Sequence, residues 1–181
     1  MSVILHTPRV TLRELEDSDL DVVAAMLTDA EVMRYWPAPF TREEAAAWIA
    51  RQRERYARDG CGYWLALERA TGEPIGQVGL MRVEVEGVPD LGLGYILARA
   101  YWGRGLAQEA AAACCEKAFA AGAPHVIALI RPENAASIAL AERLGMQAGR
   151  SVLYAGLRHV VYTARPDELR GAQEAPTWES A

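Results

Sequence analysis

The sequence predicts an α+β domain built on a mixed, mainly antiparallel twisted sheet that is flanked by helices. Three strand-like stretches follow one another, "GYWLALE", "IGQVGLMRVE" and "LGLGYILA". The short segments between them carry turn residues, so the three stretches predict an antiparallel meander. The last stretch leads through a glycine-containing turn into an alanine-rich helix and then into the apolar run "HVIALI". This order predicts a central βαβ unit.

The first third of the chain predicts one strand and two helices. A short strand is expected around Val10 to Arg13, after which Asp17 or Ser18 would cap a helix. Thr41 and Glu44 form a capping box for a second, amphipathic helix that ends near the glycine of "RDG".

The last third predicts a helix and two closing strands. The helix is expected over about Asn134 to Leu144, followed by Gly145. The strands are expected over Gln147 to Leu153 and Leu157 to Thr163. The 181 residues, 51% of them hydrophobic, favour one domain over two. We expect a single domain over residues 1–169 and a flexible tail over residues 170–181.

Composition limits the classes of function. The formal net charge of −5 disfavours nucleic acid as a partner and is compatible with a cationic substrate such as an amine. No apolar run is long enough to cross a bilayer and the N-terminus has no signal-peptide core, so we expect a cytoplasmic protein with no membrane partner. The three cysteines show no metal-ligand spacing, so no metal site is predicted.

The segment "YWGRGLAQEA", residues 101–110, places two glycines before the alanine-rich helix. The first N–H groups of a helix lack partners, and together with the helix dipole they form a site for phosphate oxygens. Gly103 and Gly105 remove side chains that would block this approach, and Arg104 could add a charge-assisted contact. The pattern therefore predicts a pyrophosphate-binding turn, with a plain turn before a structural helix as the alternative.

Two other phosphate-binding motifs do not fit this segment. A P-loop requires G-x-x-x-x-G-K followed by Ser or Thr, which the sequence lacks. A dinucleotide fold requires G-x-G-x-x-G after the first strand of a parallel sheet, whereas here the glycines follow several predicted antiparallel strands.

Two stretches, "LGYILARAYWGRGLAQEA" and "RPENAASIALAERLGM", resemble the acetyl-CoA-binding core of the GNAT family of N-acetyltransferases. The resemblance is to the branch of Rim-type ribosomal-protein N-terminal acetyltransferases in particular. It extends to "TPRVTLREL", "RYWPAPFTREEAAAWI" and "RPDEL", and so covers nearly the whole chain. It implies a GNAT-like fold, acetyl-CoA as cosubstrate and a primary amine as acceptor.

The resemblance also implies a set of cofactor-binding residues. The strand before the turn would offer backbone groups to the pantetheine arm, and the turn would wrap the pyrophosphate with backbone amides. Asn134 would hold the cofactor as well, although it could equally be a helix N-cap. At Trp102 the family motif usually has Gln or Arg, a departure that leaves the amides intact. The implied residues are Tyr95, Ile96, Leu97, Trp102, Gly103, Arg104, Gly105, Leu106, Ala107, Asn134 and Ser137.

The family reaction is a direct transfer, in which a neutral amine attacks the thioester and the CoA thiolate leaves. The resemblance implies that the Leu97 N–H polarises the acetyl carbonyl. The glutamate that serves many relatives as base falls on Gly92, which leaves Asp90 or Glu86 to act through water.

The proton donor to the thiolate is also altered. The tyrosine that many relatives use falls on Ala141, so Ser137, one turn earlier, is the candidate donor. A merely structural serine in the first helical turn is the alternative.

Three functions fit these observations. The first is acetylation of a protein or peptide N-terminus, and the second is acetylation of a small amine such as an amino acid, polyamine or antibiotic. The third is a non-catalytic acyl-CoA-binding module. The aromatic residues Tyr35, Trp36 and Phe40 would wall the acceptor site or fill the core. A monomer or a homodimer is expected.

Overall fold

The computed structural model describes residues 2–170 and places eight strands and four α-helices among them. The strands are β1 (Val3–His6), β2 (Val10–Arg13), β3 (Tyr63–Glu68), β4 (Pro74–Val85), β5 (Val88–Leu97), β6 (Val126–Ile130), β7 (Gln147–Tyr154) and β8 (Leu157–Ala164). The helices are α1 (Leu20–Leu27), α2 (Arg42–Asp59), α3 (Leu106–Ala120) and α4 (Ala135–Arg143).

All eight strands belong to one sheet, in the order β1-β2-β3-β4-β5-β6-β8-β7. Every neighbouring pair is antiparallel except β5 and β6, which are parallel and joined by α3. The predicted meander is β3-β4-β5 and the predicted βαβ unit is β5-α3-β6. The α+β class is therefore confirmed.

Helices cover both faces of the sheet. Helices α1 and α2 pack on one face, around Trp48, Ile49 and Met81. Helices α3 and α4 contribute to the core on the other face. There the alanines of α3 and the adjacent free cysteines Cys114 and Cys115 are buried. The small side chains of α3 allow its backbone to approach the sheet closely. This approach brings the N-terminal end of α3 next to the end of β5.

Local capping explains where the helices begin and end. At α2, Thr41 Oγ1 accepts from the Glu44 N–H at 3.2 Å while Glu44 Oε2 accepts from the Thr41 N–H at 2.7 Å, so the predicted capping box is confirmed. The helix ends at Gly60 in the left-handed conformation, with φ +69°.

The β4-β5 turn is shorter than the sequence predicted. The hairpin turns on Glu86 and Gly87, which both have positive φ, 52° and 80°. Two successive residues with positive φ suit the right-handed twist of a two-residue hairpin. Consequently Pro89 and Asp90, which stand between the two strand-like stretches of the sequence, lie within β5 and not in the turn.

The entry to α1 also differs from the prediction. A 3₁₀ turn at Asp17–Asp19 precedes the helix and is capped by Glu16, so the expected cap by Asp17 or Ser18 is wrong. The sequence analysis also missed β1, a four-residue strand paired with β2. Such short strands carry little periodicity, and pairing with a neighbour defines them.

Residues 171–181 lie outside the described part of the chain, and with them nearly all of the tail predicted over residues 170–181. Among residues 2–170, no helix is both long enough and apolar enough to cross a membrane.

A buried ion pair fixes the end of β2 against the start of α1. Arg13 donates to both carboxylate oxygens of Asp19 at 2.7 Å, and each side chain is only 9% exposed. Burial raises the pKa of Asp19, but the hydrogen bonds from Arg13 and from the Glu16 N–H outweigh it and hold the pKa below its usual value. The carboxylate is therefore charged in the folded protein, and its loss would leave the Arg13 guanidinium buried without this counter-charge.

We predict that Asp19→Asn lowers the free energy of unfolding by about 3 kcal/mol at pH 7, because it leaves a buried guanidinium without its counter-charge. A depressed pKa in the folded state contributes stability above the unfolded pKa of about 3.9, and this contribution is lost as the pH falls through the folded value. The gap between wild type and variant should therefore shrink below about pH 4. Urea unfolding followed by circular dichroism at several pH values measures both effects.

The matched control is Asp21→Asn, since Asp21 also pairs with an arginine, Arg42, but its side chain is 84% exposed. This control should leave stability almost unchanged. An equal loss of stability in both variants would show that burial of the Arg13–Asp19 ion pair is not the cause of the effect.

Candidate active site

A cleft of about 540 Å³ opens where the C-terminal end of β5, the N-terminal end of α3 and helix α4 meet. The connection between α1 and α2 closes one side of it. Most of the sequence-predicted cofactor residues line this cleft: Tyr95, Ile96, Leu97, Trp102, Gly103, Gly105, Leu106, Ala107, Asn134 and Ser137. The fold thus brings together residues that are up to 42 positions apart in sequence.

The turn before α3 presents free backbone N–H groups. Gly103 and Gly105 have φ values of +73° and +76°, which favour glycine, and α3 begins directly after them at Leu106. Within residues 2–170, the five N–H groups from Gly103 to Ala107 donate to no protein acceptor. These amides, at the positive end of the helix dipole, suit an anionic ligand.

The side chains of the turn play other parts than expected. Arg104 pairs with Glu68 of β3 and lies over the ring of Tyr101, with 5.3 Å from its guanidinium carbon to the ring centroid. Arg104 is absent from the lining of the cleft, so the charge-assisted contact expected of its side chain is not available in this arrangement. The side chain of Leu106, the first residue of α3, is buried in the core.

Strand β5 leaves its neighbour β6 early. The two strands are in register only at Gly92 and Ile127, and beyond that point β5 continues to Leu97 along the cleft. Backbone groups alternate in direction along a strand, and the Ala98 N–H donates to Ile75 of β4 at 3.0 Å. The N–H of the preceding residue, Leu97, therefore points away from β4 toward the cleft.

Trp102 closes over the end of β5. Its indole N–H donates to the carbonyl oxygen of Leu97 at 2.8 Å, while the residue as a whole remains 43% exposed. This bond occupies the Leu97 carbonyl and leaves the Leu97 N–H on the same side of the strand. The departure from the family motif at this position thus has a structural role.

Helix α4 is tied to β5 through Ser137. The Ser137 N–H donates to Asn134 Oδ1 at 3.1 Å, so Asn134 does cap the helix, and the Tyr95 hydroxyl donates to the Ser137 carbonyl at 3.2 Å. Burial raises the pKa of Tyr95 to about 12, so its hydroxyl stays protonated. The Ser137 side chain lines the cleft beside the Tyr95 hydroxyl, and its hydrogen bond to that hydroxyl partly offsets the effect of burial on the pKa of Tyr95.

The remaining catalytic candidates lie elsewhere. Asp90 pairs with His125 Nε2 at 3.0 Å and lines a separate hollow at the other end of β5, so the structure does not bring it to the cleft. Glu86, in the hairpin, pairs with Arg150. Ala141, where relatives have tyrosine, is fully buried in the core.

Aromatic side chains form the wall of the cleft that faces α1 and α2. Trp36 packs edge-on against Phe40 and Trp48, with ring centroids 5.8 Å apart in both pairs. Trp36 therefore lines the cleft and belongs to the core at once. Arg34 lies over the Tyr35 ring at 4.8 Å and faces Trp102, which narrows the mouth of the cleft.

Sequence reasoning missed two arginines near the cleft. Arg143, in the last turn of α4, lines the cleft and donates to Gln108 of α3 at 2.9 Å. Arg9, in the segment between β1 and β2, donates to the carbonyl of Arg104 at 2.9 Å. The spacing of "AERLG" marks Arg143 as a residue of the last helical turn, but no local pattern signals the partner of Arg9.

Comparisons with known proteins agree with this geometry. A family model described as an acetyltransferase (GNAT) domain matches residues 9–147. YkkB, an uncharacterised protein of Bacillus subtilis (strain 168), is 34% identical over 150 residues, which cover 82% of this chain and 87% of YkkB.

Solved structures share the fold. The acetyltransferase from Agrobacterium tumefaciens str. C58 is 25% identical, with a TM-score of 0.79 over 91% of this chain and 95% of that one. RimL, a ribosomal-protein alpha-N-protein acetyltransferase solved in complex with coenzyme A, has a TM-score of 0.76 at 17% identity, over 92% and 99% of the two chains. With a family match across most of its length and a relative that is one-third identical, the chain belongs to the GNAT family of acetyl-CoA-dependent N-acetyltransferases.

Proposed function

We propose that this N-acetyltransferase transfers the acetyl group of acetyl-CoA to the α-amine of a protein or peptide N-terminus, and that the transfer takes place in the cleft beside β5. The observation that carries the proposal is the meeting of three elements in one cavity. These are the free amides of residues 103–107, the edge of β5 that has separated from β6, and the hydroxyl of Ser137.

The turn would bind the pyrophosphate. Five backbone N–H groups without protein acceptors can serve several phosphate oxygens at once. Arg143 adds a positive charge from the opposite side of the cleft, where Gln108 orients its guanidinium. Tyr95 and Leu97 have backbone groups on the cleft side of β5, which suit the amides of a pantetheine arm as an added strand would. The backbone of Ile96 is directed toward β4, so this residue would contribute only its side chain to the wall of the cleft.

The transfer would depend chiefly on placement. Holding a thioester and an amine in one oriented site can supply roughly 7–11 kcal/mol of the barrier. The Leu97 N–H is directed into the cleft and would polarise the acetyl carbonyl as charge develops on its oxygen. The Trp102 bond to the Leu97 carbonyl holds the following peptide group, between Leu97 and Ala98, and so restrains the backbone next to this N–H.

Ser137 would protonate the leaving thiolate. Its backbone N–H donates to Asn134 and its carbonyl accepts from Tyr95, so the residue is held in place at the wall of the cleft. Asn134 would act through this cap as well as by lining the cofactor side of the cleft.

The cleft offers no buried carboxylate among its described lining residues that could deprotonate the amine as a general base. This favours an α-amine as acceptor. Among the described residues that line the cleft, the carboxylate is Glu31, whose side chain is 59% exposed at the mouth. Without a strong internal base the amine must arrive neutral. An α-amine, with a pKa of about 7.7–8.0, is substantially neutral near pH 7.5, whereas a lysine-like amine, with a pKa of about 10.4, is almost wholly charged.

The proposal is tested by thiol release from acetyl-CoA with a panel of acceptors. The panel contains a peptide with a free α-amine, the same peptide with a blocked N-terminus and an internal lysine, a polyamine and an aminoglycoside. We expect turnover with the free peptide and little with the others. Faster turnover of the polyamine or the aminoglycoside would show that the acceptor is a small amine. Thiol release no faster than the background without enzyme, for every acceptor in the panel, would refute the proposed transfer.

We predict that Gly105→Asp weakens acetyl-CoA binding by at least about tenfold, because it places a carboxylate beside the proposed pyrophosphate site. Isothermal titration calorimetry measures the change. The matched control is Gly72→Asp in the β3-β4 connection, where φ is +75° and no atom lies within 4 Å of an added Cβ. Both variants place an aspartate at a similar positive φ and so carry similar backbone strain. Equal affinities of the two variants for acetyl-CoA would show that the turn does not bind the pyrophosphate.

We predict that Ser137→Ala lowers kcat about 10–100-fold while the Kd for acetyl-CoA stays within about twofold, because a proton donor acts after the cofactor has bound. Ser137→Thr, which keeps the hydroxyl, should retain most of the rate. Steady-state kinetics with the preferred acceptor, together with calorimetry, separates the two effects. An unaltered kcat in the alanine variant would eliminate the proposed role.

A further inference from the structure

We propose that Arg9 is a positioning residue that holds the pyrophosphate-binding turn in its binding conformation, a role that rests on the proposed acetyl-CoA site. Arg9 follows β1, nearly one hundred residues before the turn, and its side chain reaches across to it. Nη1 of Arg9 donates to the carbonyl oxygen of Arg104 at 2.9 Å.

This bond fixes the direction of the next N–H. In a planar trans peptide the carbonyl and the following N–H point in opposite directions, and the structure has no cis peptide bond among its described residues. With its carbonyl turned toward Arg9, the Arg104–Gly105 peptide directs the Gly105 N–H away from Arg9. Gly105 lines the cleft, so its N–H is available on the ligand side.

The turn needs such a restraint because its two glycines give the backbone wide conformational freedom. Gly103 and Gly105 both occupy the left-handed region at little cost, but each can also leave it at little cost. Rotation of the peptide between Arg104 and Gly105 would exchange the N–H for a carbonyl oxygen at the ligand site. An anion would then face a repulsive dipole instead of a donor.

Glu109 anchors the arginine. Its Oε2 accepts from Arg9 Nε at 2.6 Å, and its Oε1 accepts from the Arg9 backbone N–H at 2.8 Å and from the hydroxyl of the buried Thr7 at 2.6 Å. Burial raises the pKa of Glu109, but the hydrogen bonds from Thr7 and Arg9 prevail and lower it, so the carboxylate stays ionised.

The anchor is itself part of α3. The Glu109 N–H donates to the Gly105 carbonyl at 3.1 Å, which closes the first turn of the helix. Glu109 therefore holds the start of α3 through its backbone and Arg9 through its side chain. The remaining guanidinium nitrogen, Nη2, lies 3.4 Å from the position of an added Cβ at Gly105, so the positive charge stands beside the turn.

The test compares Arg9→Gln with wild type on two acetyl donors. Acetyl-CoA carries the pyrophosphate, and S-acetylpantetheine has the same reacting thioester without it. A loss of about 10–100-fold in kcat/KM is expected for acetyl-CoA, through KM, because a charge-assisted hydrogen bond to the turn is gone. With S-acetylpantetheine, kcat/KM should stay within about twofold of wild type.

Two further variants guard the interpretation. Arg53→Gln is the matched control, since Arg53 is exposed to the same 52% and also pairs with a carboxylate, that of Asp17, away from the cleft. It should behave as wild type. If Arg9→Gln fails to fold, Arg9→Lys keeps the charge but cannot bond Arg104 and Glu109 together, and a selective loss with acetyl-CoA is expected for it too.

Each other outcome has a defined meaning. Equal losses with both donors would show a general loss of structure and overturn the positioning role, as would an unchanged KM for acetyl-CoA. A wild-type protein that binds no CoA would instead refute the proposed function, which is distinguishable because it does not involve the variants.

Discussion

The site depends on the early separation of two parallel strands. β5 and β6 are in register at Gly92 and Ile127 and then part, although each remains paired on its other edge, with β4 and with β8. Backbone groups that leave a sheet ladder need other partners. At the end of β5 the Leu97 carbonyl accepts a hydrogen bond from the indole of Trp102, while the Leu97 N–H faces the cleft. The gap between the strands thus exposes backbone groups of β5, and we propose that the pantetheine arm binds there.

The second half of the site meets this gap because α3 begins where β5 ends. A helix start offers free amides, two glycines allow ligand oxygens to approach them, and α4 supplies Ser137 from across the cleft. The proposed chemistry requires no enzyme nucleophile, so alignment of two substrates is the main task of the protein. The contacts that fix the walls of the cleft, among them Tyr95 to Ser137 and Arg9 to Arg104, therefore matter as much as the residues that face the ligand.

Local patterns predicted much of this arrangement. The capping box at Thr41, the meander and the glycine turn before α3 depend on neighbouring residues, so the sequence displays them directly. The resemblance to GNAT proteins then indicated the cleft residues on β5 and α4. Distant contacts could not be foreseen: Arg9 and Glu109 are 100 positions apart, and Asp90 and His125 are 35 positions apart. Asp17 or Ser18 was expected to cap α1, and no local pattern indicates that the carboxylate of the next residue, Asp19, accepts from Arg13 in the core.

We propose that the cleft beside β5 binds acetyl-CoA through both its pyrophosphate and its pantetheine arm. The most direct measurement is isothermal titration calorimetry of the wild-type protein with acetyl-CoA, with ATP as a second ligand that carries phosphates but no pantetheine arm. We expect a single site for acetyl-CoA and far weaker binding of ATP, because the pantetheine arm contributes contacts along β5 that ATP cannot make. Absence of acetyl-CoA binding, or equal affinity for the two ligands, would contradict it.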